Sequence, residues 1–518
     1  MKRRNFIKAS SIITLPVFFN GFGISAIARS AFSNGFDGDN DKILVLVQLR
    51  GGNDTLNTVI PLDQYGNLSK VRSNIMIPAN NVIKLNDQVG LHPSMTKMKS
   101  IWDDGKLNII RGAGYPNQNR SHFRSTDIWN TGSAADEQLT TGWMGRYFAQ
   151  DHGDYPTNYP NAEHEAPFAI TIGSAASETC QGLVSNYSIA VNDASNAGEL
   201  FEGEWDTTPN NCYGEELNFV RETIRQSNAY ANVVSDAFEK GSNKTTEYAD
   251  DNRLAGQFKT VARLISGGLK TKLYVVNLGG FDTHSGQVEG GDPKTGVHAT
   301  LLKTLSDAIY AFQDDLRLLG VEERVMGLTY SEFGRRIKSN DSYGTDHGSA
   351  VDLFVFGSCV NPQLTGDNPE VGEDVGRTEA MPMQYDFRSV YGSLLLDWFG
   401  ASEDSIRNIL YEDFERIPIV KGCSTTATEP DLEPNAFSME IEPNPVFSTA
   451  LLRFESLDEH VRISIFNELG AEVEVLSNRK FIEGKHEIDF DTSRFKPGVY
   501  YIRMMNSQRQ KTKRFVKM

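Results

Sequence analysis

Short apolar runs, each followed at once by glycine and polar residues, constrain the fold of this chain most strongly. The clearest is K-I-L-V-L-V-Q-L at residues 42–49, which ends at R-G-G-N-D-T. A continuous apolar run of this length is typical of a strand buried on both faces. Further runs of this kind lie at residues 107–111, 273–278, 325–329 and 351–357, and segments with helical character lie at 94–104, 216–269, 298–319 and 387–399. The alternation predicts a mostly parallel α/β sheet with helices on both faces.

Polar residues that follow these runs form the candidate functional site. They are Asp54; Ser121 with His122 and Arg124; Asp282 with His284; and Glu332 with Asp346 and His347. Because the carboxyl ends of parallel strands lie along one edge of a sheet, we expect these residues to meet there. Carboxylates and imidazoles without thiolates suit a divalent metal such as zinc, magnesium, manganese or calcium. Ser121 is expected at a helix start, where free backbone N–H groups favour an anion.

The first 28 residues have the form of a cleavable export signal. A charged start with the twin arginine Arg3-Arg4 is followed by an apolar run from Ile12 to Ile27 and an A-x-A ending at Ala28. A membrane anchor is the alternative, but Pro16 interrupts an already short apolar run. We therefore expect membrane contact only through this signal, and a polar, flexible lead-in at residues 29–41.

The remaining chain divides by composition. Residues 42–420 carry the strand and helix pattern, with a Gly-, Asn- and Ser-rich insertion or lid near residues 150–215. Residues 421–436 have linker composition. Residues 437–518 contain short alternating segments separated by Gly, Asn and Pro, which predicts a small all-β sandwich.

Charge and cysteine content limit the partners and the site type. The formal net charge of −17 argues against nucleic acid as a partner, because phosphate binding needs a basic face. No C-x-x-C pair is present, so a cysteine-based zinc site is not expected. In an oxidising compartment a disulfide between Cys180 and Cys212 is plausible, although spacing alone leaves the pairing open.

Five strings resemble the successive motifs of an exported bacterial family, domain of unknown function 1501. They are L-R-G-G-N-D-T-L-N, Y-P-N-Q-N-R-S-H-F-R-S-T-D-I-W, G-G-F-D-T-H-S, S-E-F-G-R-R and G-T-D-H-G-S. That family resembles the alkaline phosphatase and sulfatase superfamily. The resemblance implies a three-layer α/β/α sandwich of alkaline phosphatase type.

The resemblance also implies roles for single residues. Asp54, Asp282, His284 and His347 match metal ligands, and Glu332 falls where the aspartate of an Asp-His pair is usual. Phe333 stands where the histidine of that pair would be, so one ion, two ions, a site completed by Asp346 or His298, or no metal all remain open. Ser121 matches the nucleophile, with Ser125 and Thr55 as alternatives. Arg120 or Arg124 is expected to steady the anion.

Residues 437–518 resemble a type IX secretion sorting domain. The resemblance rests on I-E-P-N-P at 441–445, V-R-I-S-I-F-N-E-L-G at 461–470, F-K-P-G-V-Y-Y-I at 495–502 and the basic end K-T-K-R-F-V-K. It implies recognition by the type IX secretion machinery. We expect a protein that crosses the periplasm and is secreted or held at the outer cell surface.

Two functions follow as expectations. The first is a metal-dependent hydrolase that cleaves phosphate or sulfate esters, either small molecules or esters linked to a glycan. The alternative, which Phe333 motivates, is a non-catalytic surface protein that retains the phosphatase or sulfatase fold for binding.

Overall fold

The computed structural model divides the chain into two compact units, Met1–Cys423 and Ser424–Met518. This division falls inside the predicted linker at residues 421–436. The predicted export signal, almost all of the lead-in and most of the linker lie outside the described residues. The structure describes residues 41–196, 207–290, 292–421, 423, 439–456, 459–467, 472–482, 484–505 and 510–518.

Among the described residues of the first unit, nine strands form one sheet. Its order is β11-β5-β10-β9-β1-β8-β6-β7, and β12 also pairs with β5. All pairings are parallel except those of β10, which runs antiparallel to β5 and β9. A small second sheet has the order β2-β4-β3. The strands are β1 Ile43–Arg50, β2 Val59–Pro61, β3 Ile83–Lys84, β4 Val89–Leu91, β5 Leu107–Gly114, β6 Ala169–Ile172, β7 Ser188–Val191, β8 Leu273–Gly279, β9 Val325–Tyr330, β10 Val351–Phe356, β11 Leu364–Thr365 and β12 Tyr385–Asp386.

Helices cover both faces of the large sheet. Alternate side chains of β1 enter opposite cores: Val45 and Val47 pack on one side, and Leu44 and Leu46 on the other. The first core is closed by helices Thr96–Asp103, Cys212–Lys240, Arg253–Ser266 and Val297–Leu319, and the second by His122–Thr131, Trp143–Ala149, Phe387–Asp397 and Glu403–Ile409. The described part of this unit also contains the α-helices Thr55–Thr58 and Tyr65–Val71. The expected three-layer α/β/α sandwich is confirmed.

The stretch at residues 150–215 differs from the expected insertion. It supplies β6 and β7, which extend the sheet beyond β8. Each of these strands has only four residues and is buried throughout, so neither shows the alternation or the length that identifies a strand in sequence.

The disulfide prediction is wrong. The bond joins Cys359 to Cys423, whereas Cys180 and Cys212 are free thiols. Cys180 is buried at the end of a short turn of 3-10 helix, and Cys212 is exposed at the start of a long helix.

The second unit is all-β, as expected. Two antiparallel sheets, of order β13-β14-β17 and β16-β15-β18-β19, share one apolar core. Alternation on β15 places Val461, Ile463 and Ile465 in that core. The strands are β13 Met439–Glu442, β14 Thr449–Ser456, β15 Glu459–Asn467, β16 Glu472–Phe481, β17 Gly484–Asp491, β18 Gly498–Met505 and β19 Gln510–Lys517.

Candidate metal centre

One edge of the large sheet collects the loops that carry the predicted site. Strands β1, β8 and β9 are parallel neighbours, so the loops after them emerge together. Strand β10 is antiparallel, and the residues just before it therefore reach the same edge. The helix His122–Thr131, which follows β5, begins there as well. The expected convergence of strand ends is thus a consequence of this topology.

Two glycines let these loops approach one another closely. Gly51 and Gly52 follow β1 with φ angles of 122° and 82°, which side chains rarely tolerate. A Cβ at Gly51 would collide with the backbone of Asp282, and one at Gly52 would lie 2.5 Å from the ring of Phe333. The G-G pair is therefore what allows the three strand-end loops to pack together.

Four side chains meet at this edge, and we call them the His-Asp cluster: His122, Asp282, His284 and His347. Asp282 Oδ1 lies 3.2 Å from Nε2 of both His284 and His347, and Asp282 Oδ2 lies 3.4 Å from His122 Nε2. The Nε2 atoms of His284 and His347 are 2.9 Å apart. One ligand atom from each of His122, Asp282 and His347 fits within 4.8 Å of the others.

Each imidazole of the cluster is held through its other nitrogen. An oxygen acceptor faces every Nδ1, and the tautomer that donates Nδ1–H to this oxygen has its lone pair on Nε2. The pairs are His122 Nδ1 with Glu332 Oε1 at 2.8 Å, His284 Nδ1 with Asp346 Oδ1 at 3.1 Å, and His347 Nδ1 with the Arg120 carbonyl at 2.8 Å. This is the arrangement in which outer carboxylates and carbonyls orient metal-binding histidines.

The resulting centre suits a cation. Three Nε2 atoms face the Asp282 carboxylate, and ligand atoms of His122, Asp282 and His347 lie close enough together to share one cation, with His284 beside them. His122 Nε2 is buried and has no hydrogen-bond partner among the described residues. Three imidazoles and one carboxylate are a ligand set typical of zinc. The residues present therefore fit a divalent metal ion.

Arg335 keeps Asp282 ionised. Burial acts to raise the pKa of Asp282, but the hydrogen bond from Arg335 and the positive charge of its guanidinium outweigh it, and the pKa of Asp282 is lowered to about 2. The Arg335 Nη2 atom lies 2.7 Å from Asp282 Oδ1. Burial also lowers the pKa of His347, which favours the neutral, lone-pair form of that ring.

Asp54 is not part of the cluster, contrary to the expectation from sequence. Its carboxylate is buried in an ion pair with Arg72 at 3.0 Å and accepts a hydrogen bond from Gln287 Nε2 at 2.6 Å. His298, the other residue considered for completing the site, is buried and contacts Asn53 Oδ1. The cluster thus forms without the first-strand carboxylate.

Glu332 and Asp346 reach the cluster only from outside. Glu332 is buried, and its Oε1 also accepts a hydrogen bond from the Gly51 backbone N–H at 2.9 Å. Asp346 Oδ2 lies 3.2 Å from Arg336 Nη1. Both carboxylates therefore orient histidines in this structure.

Ser121 lies at the N-cap of the helix His122–Thr131, as predicted, and is exposed. The alternatives are enclosed: Ser125 is buried and hydrogen-bonds Tyr115 and a backbone carbonyl, and Thr55 is buried beneath β10. Arg124 contacts Asp127 and the carbonyls of residues 134, 135 and 137. Of the two predicted anion-binding arginines, Arg120 is the one beside the cluster.

Two residues of the centre have no assigned role in the sequence prediction: His122 among the ligands, and Arg335 as the partner of Asp282. The sequence places His122 at a strand end, but only its neighbour Ser121 is assigned a role there, that of the nucleophile. Arg335 belongs to the S-E-F-G-R-R motif, yet nothing in that motif tells a buried arginine from an exposed one. For both residues the direction of the side chain, which a sequence pattern does not give, decides the role.

Comparison with known families identifies two segments. Residues 221–409 match the model described as protein of unknown function (DUF1501), and residues 440–518 match the secretion system C-terminal sorting domain. No curated protein matches the chain. In the part of the chain that the structure describes, no helix is long and apolar enough to cross a membrane.

Several solved structures resemble the chain at low identity. A protein in the alkaline phosphatase superfamily from Vibrio parahaemolyticus is 9% identical, with 92% of this chain and 91% of that chain covered and a TM-score of 0.34. A protein from a glycosaminoglycan-metabolism locus of Bacteroides thetaiotaomicron is 9% identical, with 88% and 90% covered and a TM-score of 0.32. A DUF3244 family protein with an immunoglobulin-like β-sandwich from Bacteroides vulgatus is 15% identical, with 16% and 96% covered and a TM-score of 0.13.

The C-terminal match indicates export to the cell surface or secretion through the type IX system. The chain is thus similar to the DUF1501 family of proteins of unknown function over residues 221–409 and to the secretion system C-terminal sorting domain over residues 440–518.

Proposed function

We propose that the protein is a metal-dependent hydrolase of phosphate or sulfate esters and that the His-Asp cluster holds one divalent cation. The observation that carries this proposal is that the Nε2 atoms of three histidines surround the Asp282 carboxylate. An outer oxygen faces the Nδ1 atom of each of these histidines. The ligand set of three histidines and one aspartate favours zinc over magnesium or calcium, which prefer oxygen ligands. A bound cation supplies Lewis-acid polarisation of a phosphoryl or sulfuryl oxygen.

Phe333 supports a single cation. Its buried ring packs against His122 and His347, with centroid distances of 4.9 and 4.6 Å, and it stands where the family resemblance calls for a further histidine. An apolar ring provides no ligand for a second ion. It does restrict the movement of the two imidazoles on which it packs.

Ser121 is the proposed nucleophile. It is exposed between Arg120 and His122, at a helix N-terminus whose free N–H groups stabilise negative charge. Its Oγ forms a bond to phosphorus or sulfur, and the ester oxygen leaves as the alcohol, which takes the serine proton. Water then releases phosphate or sulfate and restores the hydroxyl. Arg120, one residue away, is placed to bind the anionic ester group.

Metal analysis combined with an ester panel tests the proposal. Purified protein should contain one metal ion per chain and should hydrolyse 4-nitrophenyl phosphate, bis(4-nitrophenyl) phosphate or 4-nitrophenyl sulfate, with activity lost on chelation and regained with zinc. His122→Ala should lose the metal, whereas Asp54→Asn should retain it. Ser121→Ala should bind metal but lose turnover.

Other outcomes are equally clear. A protein that contains no metal and is inert on every ester contradicts the proposal. A protein that binds metal in the cluster and is inert on every ester supports the alternative, a surface binding protein that retains the fold.

A further inference from the structure

Three arginines gather around one loop beside the His-Asp cluster, and we call them the arginine cluster: Arg120, Arg336 and Arg377. Arg120 Nη1 donates to the Thr378 carbonyl at 3.1 Å, and Arg336 Nη1 donates to the Arg377 carbonyl at 3.2 Å. Consecutive carbonyls of the same loop thus hold two guanidinium groups side by side. The third member, Arg377, is exposed on that loop.

The arginine cluster adjoins the candidate metal centre. The Arg120 carbonyl accepts the Nδ1–H of His347 at 2.8 Å. Arg336 donates to the His347 carbonyl at 3.3 Å and to Asp346 Oδ2 at 3.2 Å. Arg120 therefore contacts the His347 ring through its own carbonyl, and Arg336 contacts the His347 backbone and Asp346 through its guanidinium.

The positive charge of the arginine cluster is only partly neutralised. Within the described residues, Arg336 pairs with Asp346, whereas neither Arg120 nor Arg377 forms an ion pair. Glu379, on the same loop, directs Oε2 to the Gly376 backbone N–H. Like charges held together in this way favour an anion between or beside them.

One anionic group does not account for all three arginines. Arg120 lies next to Ser121 and is placed to bind the ester group that is cleaved. Arg377 is exposed, contacts Arg336 through its own carbonyl, and has no assignment in that reaction. Asp282 and His284 side chains are 48% and 45% exposed, so the centre is open enough to accept a substrate that extends past it.

From these observations we infer that Arg377, with Arg336, binds a second anionic group of the substrate. The substrate class is then an ester that carries two phosphate or sulfate groups, one at the His-Asp cluster and one at Arg377. This inference rests on the proposed hydrolase function. It adds a specificity that the metal centre alone does not provide. A lone cation binds one ester group equally well whether or not the molecule carries a second anionic group.

Matched substrates test the inference. Glucose 6-phosphate is compared with glucose 1,6-bisphosphate, and glucosamine 6-sulfate with N-sulfoglucosamine 6-sulfate. For the pair that is turned over, the KM for the molecule with two anionic groups should be about tenfold lower than the KM for the molecule with one. This is the size expected for a charge-assisted hydrogen bond. Arg377→Gln should raise the KM for the molecule with two anionic groups to that of the molecule with one, with kcat unchanged.

Two variants serve as controls. Arg120→Gln should weaken turnover of both members of a pair, because it acts on the group that is cleaved. Arg324→Gln should change neither KM, since Arg324 is half-exposed at the opposite edge of the sheet and pairs with Asp41. Equal KM values within the pair, or equal effects of Arg377→Gln on both esters, overturn the inference and leave the proposed hydrolase function intact.

A binding measurement separates the two proposals further. Calorimetry on chelator-treated protein follows glucose 1,6-bisphosphate binding without turnover. Weaker binding by Arg377→Gln supports the second anion site even if the ester panel shows no hydrolysis, in which case only the proposed function fails. No difference between Arg377→Gln and the native chain removes the second anion site.

Discussion

Asp54 and Arg72 form an ion pair whose side chains are 1% and 0% exposed. Burial acts to raise the pKa of Asp54, but Arg72, His298 and Gln287 together lower it below its ordinary value. A carboxyl group with a depressed folded-state pKa stabilises the fold at pH values above its unfolded pKa, and that contribution is lost as pH falls through the folded pKa. Asp54 is therefore a source of pH-dependent stability behind the centre.

Asp54→Asn should destabilise the first unit at pH 7. Removing one partner of a buried ion pair leaves the other charge uncompensated, which costs about 3 to 5 kcal/mol. The difference in free energy of unfolding from the native chain should begin to shrink as pH falls below about 3.9, where the unfolded carboxyl is protonated, and should vanish once pH falls below the lower folded pKa of Asp54. Urea unfolding followed by tryptophan fluorescence measures it, because all five tryptophans precede residue 424.

Asp87→Asn is the matched control for this measurement. Asp87 is exposed in the same unit, so its substitution should change the free energy of unfolding by no more than about 0.5 kcal/mol. An Asp54→Asn variant as stable as the native chain at pH 7 would contradict the assignment of this pair.

Asp54 and His122 show what a sequence yields for a single residue. The buried strand β1 and its Gly-Gly end place Asp54 near the correct edge of the sheet. Whether its carboxylate then points to the edge or inward depends on Arg72, whose own position is set by tertiary packing. The helix start after β5 places His122 at the same edge. Location along the chain was predictable, and side-chain direction was not.

At the scale of the elements, Arg335 fastens three strand-end loops together. Its buried guanidinium donates to the carbonyls of Gly52 after β1 at 2.7 Å, Phe281 after β8 at 3.0 Å and Thr345 before β10 at 2.8 Å. The same group binds Asp282. A planar fork with five N–H donors can make all of these contacts, and an ammonium group cannot.

Arg335→Lys should therefore weaken metal binding while the fold is retained. Supporting hydrogen bonds to metal ligands typically contribute 10- to 100-fold in affinity, so we expect a loss of about that size. Competition with a chromophoric chelator measures the affinity, and thermal unfolding reports on the fold.

Arg388→Lys is the control for Arg335→Lys. Arg388 also makes a forked contact, with Asp386 at 2.9 and 2.7 Å, and has no contact with the His-Asp cluster. Its substitution should leave metal affinity unchanged. Equal affinity in Arg335→Lys and the native chain would show that Arg335 does not orient Asp282.

The elements themselves were largely predictable. The apolar spacing at residues 298–319 gave the helix Val297–Leu319 within one residue, and the run at residues 42–49 gave β1. These segments are long and uniformly buried on the expected faces. Strands β6 and β7 were not predicted, because four buried residues carry too little periodicity. They belong to the sheet because β6 pairs with β8 and β7 pairs with β6.

At the scale of the whole molecule, the chain combines an α/β unit with a sorting domain. The composition change near residue 421 marked that division, because linker residues and alternating strand segments differ from buried parallel strands. The cysteine pairing was not accessible in the same way. Cys359 and Cys423 are 64 residues apart, and only the fold brings the end of the first unit back to the segment after β10.

Cys423→Ser should lower the free energy of unfolding of the first unit. A cross-link that closes a loop of this length stabilises by about 4 kcal/mol when it acts through the entropy of the unfolded chain. The backbone pairing of Val360 with Val420 supports the same closure and should survive the substitution. Urea unfolding under oxidising conditions measures the loss, and Cys212→Ser, which removes an exposed free thiol, should be neutral. Peptide mapping without reduction should recover Cys359 linked to Cys423; a Cys180–Cys212 peptide, or a Cys423→Ser variant as stable as Cys212→Ser, would contradict this closure of the α/β unit.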